Sequence, residues 1–133
     1  MTRRHIHAVT LVVPDYDSAI AFYTGVLGFD LLSDEPQEEG KRWVMVAQPG
    51  AETALLLACA ATETQRQAIG NQTGGRVGFF LHTDDFDADY EALRAKGLQF
   101  EEAPRREPYG SVAVFRDPFG NRWDLLQLST DEA

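Results

Sequence analysis

Two ionisable residues stand where they could do chemistry. His82 ends one apolar run, Gly78-Phe79-Phe80-Leu81-His82-Thr83, and Asp124 lies inside another, Trp123-Asp124-Leu125-Leu126. As a base and its partner they suit proton abstraction or ring opening without a metal. Tyr109, followed by Gly110 in a loop, is a candidate oxyanion donor. His82, Asp124 and Tyr109 are therefore the candidate catalytic residues. If the task is binding alone, the same three join Thr10, Trp43 and Phe80 as candidate ligand-binding residues, with aromatics to stack and polar groups to orient. Some have a plainer reading: His82 as a solvated or neighbour-bonded histidine and Asp124 as an edge carboxylate, while Trp123, a further stacking candidate, reads more simply as core. Arg105-Arg106 and Arg116 could grip a carboxylate or phosphate, but bridges to Glu101, Glu102 and Glu107 are the simpler expectation. No nucleophile elbow or phosphate loop sharpens the chemistry.

The elements that must position these residues come in two similar sets. Val9-Thr10-Leu11-Val12-Val13 is short, β-branched and stopped by Pro14-Asp15, which reads as a strand. Ala19, Ile20, Phe22, Tyr23, Val26 and Leu27 then recur at helical spacing, with an Asp cap before them and Gly28 after. Strands are expected at 29–32, 43–47 and 54–58, with 34–40 as an acidic hairpin loop. The second set opens with the strand 78–83, capping acids Asp84-Asp85 and a helix through Tyr90 and Leu93 to Gly97. Strands at 99–101, 112–115 and 123–128 follow. Asp15 matches Asp85, and Val44-Met45-Val46 matches Val112-Ala113-Val114, so the chain reads as an internal duplication. One domain over 1–133 is expected: module 1 at about 6–60, a polar linker at about 61–75 with one helical turn at Glu63–Ala68, and module 2 at about 76–129.

Strand alternation sorts the faces. Val9, Leu11, Val13, Phe79, Leu81, Trp123 and Leu125 should pack on helices. Ala8, Thr10, Gly78, Phe80, His82 and Asp124 should line the other face, a mixture that suits a pocket. The net charge of −9 excludes a nucleic-acid partner and favours a cationic ligand. Cys59, the single cysteine, excludes an intrachain disulfide and reads as a small buried residue. With no membrane-spanning apolar stretch and no secretory pattern, the expected location is cytoplasmic.

The stretch 9–15, with Ala21-Phe22-Tyr23 and Val26-Leu27-Gly28-Phe29, resembles the opening module of the glyoxalase/bleomycin resistance/extradiol dioxygenase (vicinal oxygen chelate) superfamily. The ending Phe115-Arg116-Asp117-Pro118-Phe119-Gly120-Asn121-Arg122-Trp123-Asp124-Leu125 resembles its closing hairpin and strand. The resemblance covers residues 6 to 129 and implies an α+β fold of two βαβββ modules forming an incomplete barrel, commonly a homodimer. It also implies a divalent metal held by His, Glu or Gln and acting as a Lewis acid in catalytic members. The corresponding positions here are Ala8, Gly78, Leu55 or Leu56, and Asp124, and only the last can coordinate. His7 could supply a second donor through a bulge, still too few. No metal and no cofactor are therefore expected.

The expected function is metal-independent binding of a small molecule, sequestering a cationic antibiotic or metabolite. The alternatives are a metal-free enzyme using His82 and Asp124, and a metal-dependent lyase resembling lactoylglutathione lyase, or a dioxygenase.

Overall fold

The computed structural model describes residues 1–129. Two compact units divide the chain, Met1–Ile69 and Gly70–Ala133. In the first, β1 (Ala8–Val13) leads to α1 (Tyr16–Gly25), β2 (Asp30–Pro36), β3 (Arg42–Ala47), β4 (Ala54–Cys59) and the short α2 (Glu63–Ala68). In the second, β5 (Phe79–His82) leads to α3 (Phe86–Ala95), β6 (Gln99–Phe100), β7 (Arg105–Glu107), β8 (Gly110–Arg116) and β9 (Arg122–Leu128).

The two units share one plan. The first sheet has the order β1-β4-β3-β2 and the second β5-β9-β8-β6, with β7 also pairing β8. In each, the first strand lies parallel to the last: Thr10 opposite Leu56, and Phe80 opposite Asp124. Asp15 accepts from the Ser18 amide at 2.7 Å, and Asp85 from the Ala88 amide at 3.4 Å, so matching acids cap matching helices. The fold is α+β, two βαβββ modules each with its own open sheet. Among the described residues, no helix is long and apolar enough to cross a membrane.

Leu11, Val13, Val44, Val46 and Leu57 are buried on one face of the sheet, and α1, which packs on β3 and β4, buries Ala19, Phe22 and Tyr23. In the second unit one aromatic row crosses four strands. Phe79, Trp123 and Phe115 stand opposite one another, with Phe100 opposite Phe115. Trp123 stacks on Phe79 at 4.8 Å and lies 5.7 Å from Phe115, while Tyr90 of α3 closes on Phe100 at 4.5 Å. The Asp117-to-Asn121 motif builds the β8–β9 turn. Asp117 accepts from the amides of Phe119 (3.0 Å) and Asn121 (2.9 Å) and from the Asn121 side chain (2.7 Å).

Four local expectations need correction. The acidic segment is strand as far as Pro36, because Asp34 accepts two hydrogen bonds from Arg42 across the hairpin, at 3.0 and 2.7 Å. The strand Arg105–Glu107 was not anticipated, since three charged residues carry no hydrophobic period. Val9 shares the face of Leu11 and Val13 yet is 45% exposed, near the start of β1. Cys59 is half-buried rather than buried, its thiol 3.4 Å from the Pro14 carbonyl.

Candidate functional site

The sequence candidates fall into two groups, one in each unit. Thr10 and Trp43 line one groove of ≈ 540 Å³ in the first unit. Its floor comes from the face of β1 and β4 turned away from α1, with Val12, Leu56 and Ala58 beside Thr10. Trp43, 41% exposed, and the segment from Gln37 to Arg42 form a wall, and Tyr16 and Gln65 another part of the rim.

Arg42 sets that wall. Its guanidinium donates to Asp34 and, at 2.9 Å, to Asp17, and lies 5.1 Å from the centre of the Tyr16 ring. The hydrogen bonds to Asp34, then to Asp17, hold Arg42 charged well above its ordinary range, and Arg42 in turn lowers the Asp34 carboxyl. Tyr16, Arg42 and Gln65 were missed in the sequence. Their roles rest on contacts across the sheet, and neither apolar period nor motif marks them.

In the second unit, Phe80 and Asp124 are neighbours on one face, and His82 follows two residues along the same strand. Phe80 is 65% exposed. Asp124 is half-buried, and its Oδ1 is buried without a hydrogen-bond partner among the described residues. Burial raises the Asp124 carboxyl above its ordinary range. Arg105 opposes that rise, Glu102 reinforces it, and Arg122 opposes it again. Both nearby guanidiniums are otherwise engaged: Arg105 with Glu102 (2.8 Å) and Glu107 (3.1 Å), Arg122 with Glu101 (2.9 Å). Arg116 also pairs with Glu101, and Arg106 with Asp87, both at 2.7 Å.

His82 and Asp124 are not hydrogen-bonded to each other. His82 Nε2 instead accepts from the Leu128 amide at 3.3 Å, a bond that competes with its use as a base. Tyr109 lies in the turn before β8. Its carbonyl accepts from the Ser129 amide at 2.7 Å, its side chain adds, after Glu102, to what holds Arg105 charged above its ordinary range, and the residue is 44% exposed.

The residues at the superfamily's ligand positions do not fit a divalent metal. Ala8 and Leu56 pack against Met45, Ala47 and Ala54, a hydrocarbon cluster with no donor. A Cβ at Gly78 would come within 2.7 Å of Thr73 Cγ2. β1 pairs with β4 without a bulge from Ala8 to Val13, so nothing turns His7 to the Ala8 side. Among the described residues no group of three or more His, Cys, Asp or Glu could hold a metal.

Known proteins resemble this chain. An uncharacterized protein of Shewanella frigidimarina (strain NCIMB 400) is 50% identical over 129 residues, 96% of each chain. The crystal structure of TnmS3, an antibiotic binding protein from Streptomyces sp. CB03234, is 37% identical with a TM-score of 0.79, covering 97% of this chain and 99% of that one. A 2-epi-5-epi-valiolone epimerase of Actinomyces sp. is 28% identical over 92% of this chain and 79% of its own. The family model described as Glyoxalase/Bleomycin resistance protein/Dioxygenase superfamily matches residues 5–125. With module plan, closing turn and sequence match in agreement, the chain belongs to the glyoxalase/bleomycin resistance protein/dioxygenase superfamily.

Proposed function

We propose that this protein is a metal-independent small-molecule binder, a single functional domain that sequesters a cationic antibiotic or metabolite. The observation that carries the reading is the unpartnered Oδ1 of Asp124 beside the exposed ring of Phe80, with the adjacent guanidiniums already paired to Glu101, Glu102 and Glu107. A carboxylate short of a donor next to an open aromatic face is the chemistry that receives an ammonium. The likeness to TnmS3, an antibiotic binding protein, supports the same reading.

The test uses 9-aminoacridine, a planar cation, titrated calorimetrically at physiological salt. Wild-type protein binds it equally well before and after chelator treatment, and Asp124→Asn loses about tenfold in affinity, the range of one charge-assisted contact. Wild-type affinity rises with pH through the elevated Asp124 titration, because the cation binds the ionised carboxylate. Stability moves the other way. A raised folded-state pKa favours folding below the unfolded value and loses that contribution as pH rises through the folded value. Asp124→Asn therefore melts above wild type at pH 7, and the gap closes at acid pH. Equal affinities in a folded Asp124→Asn variant would remove Asp124 from the site.

The epimerase relative favours a second reading, catalysis, here by a site without a metal. It would need a free base, and His82 has committed Nε2 to the Leu128 amide. The proposal includes a cytoplasmic location and a homodimer, the latter supported by Leu31 and Leu32, 44% and 58% exposed on the edge strand β2. Light scattering on a size-exclusion column should read twice the chain mass, and a monomer mass across micromolar concentrations would reject the dimer.

A further inference from the structure

Two side chains of the first unit's groove are oriented to donate. The Tyr16 hydroxyl oxygen accepts from the Arg42 amide at 3.2 Å, which leaves its proton to donate. Gln65 Oε1 accepts from the Ala61 amide at 2.7 Å. That bond fixes the orientation of the side-chain amide, because a backbone N–H needs the oxygen, and leaves both protons on Nε2. Two unrelated elements thus spend their acceptors on the backbone and keep their donors, and both line the same groove.

The floor of the groove is apolar, and the charges at its rim are paired or opposed. Val12, Leu56 and Ala58 form the floor, and Trp43 offers an exposed aromatic surface. Lys41 and Glu39 at the rim oppose each other in sign. Arg42 is paired with both Asp17 and Asp34, so its guanidinium is not free to receive an anion. A ligand without acceptors would leave the Tyr16 and Gln65 donors unpaired once water is displaced, which makes the pair selective.

We propose that this groove takes an uncharged, planar aromatic part of a ligand bearing carbonyl or ring-ether oxygens. Tyr16 and Gln65 donate to those oxygens, and Trp43 lies against the ring. The inference rests on the small-molecule-binding reading and names the ligand chemistry for the first unit.

The probes are flavone, which is planar and uncharged with a carbonyl and a ring ether, and 9-aminoacridine, a cation with no comparable acceptor. Both are titrated calorimetrically against wild type, Tyr16→Phe and Gln65→Glu. Gln65→Glu keeps an oxygen for the Ala61 amide but presents an acceptor where the groove had a donor. Gln65 is exposed, so the fold tolerates the change. Flavone should bind wild type and lose about five- to tenfold in Tyr16→Phe and at least as much in Gln65→Glu, the range of one neutral hydrogen bond. Neither variant should weaken 9-aminoacridine. Flavone affinity unchanged in both variants, or a loss confined to 9-aminoacridine, overturns the inference. Failure of flavone to bind while 9-aminoacridine still depends on Asp124 overturns the inference and leaves the binding reading intact. Failure of both probes on wild type overturns the two together.

Discussion

Trp123→Ala should lower the unfolding free energy by about 3–5 kcal/mol in urea melts, the range for a large aromatic removed from a core. Trp123 is 3% exposed and sits in the middle of the row Phe79–Trp123–Phe115–Phe100. Its removal deletes a stack on either side, at 4.8 and 5.7 Å, and opens the space between the parallel partner β5 and the antiparallel partner β8. Domains of this size hold about 5–15 kcal/mol in total, so the variant approaches the edge of folding. Trp123→Phe keeps most of the stacking and should lose much less. Equal losses in the two variants would mean that the indole does not act through its stacks.

Gly110→Ala should cost about 3 kcal/mol, read in the same melts. Gly110 opens β8 at φ +147°, and a Cβ there would collide with the Gln127 carbonyl oxygen and approach Leu128 Cα to 2.9 Å. Both obstacles are backbone, so relief requires β8 and β9 to part where Gly110 faces Leu128. The neighbouring hydrogen bond from the Ser129 amide to the Tyr109 carbonyl would be disturbed with it. Ser111→Ala, one residue on and outside the collision, should cost well under 1 kcal/mol. A Gly110→Ala loss no larger than that of Ser111→Ala would show that the turn relaxes freely.

The chemistry of short segments made much of the fold legible. Asp15 and Asp85 cap their helices as expected because a cap needs only a carboxylate three residues before an amide. Gly28 and Gly97, at φ +74° and +92°, end them for an equally local reason. The duplicated order was readable because each element repeats its own signal. What escaped depends on partners distant in the chain. β7 exists because Arg105, Arg106 and Glu107 pair with β8, and no property of the three residues alone announces a strand. Alternation placed Asp124 on the face opposite Trp123, but the occupied state of Arg105 and Arg122 follows from acids on other strands and loops. For His82, the residue type was visible while its engagement with Leu128 was not. The donors of the groove were invisible for the same reason. Tyr16 and Gln65 could each donate or accept, and only the Arg42 and Ala61 amides decide which.

The packing of Ala8 and Leu56 against Met45, Ala47 and Ala54 also decides what a single substitution at these positions would meet. A carboxylate or imidazole at position 56 would stand half-buried against apolar side chains, with no ion to offset its partial desolvation. A lone donor brings that cost without enough neighbours to hold a metal, so building a metal site here would take several changes at once.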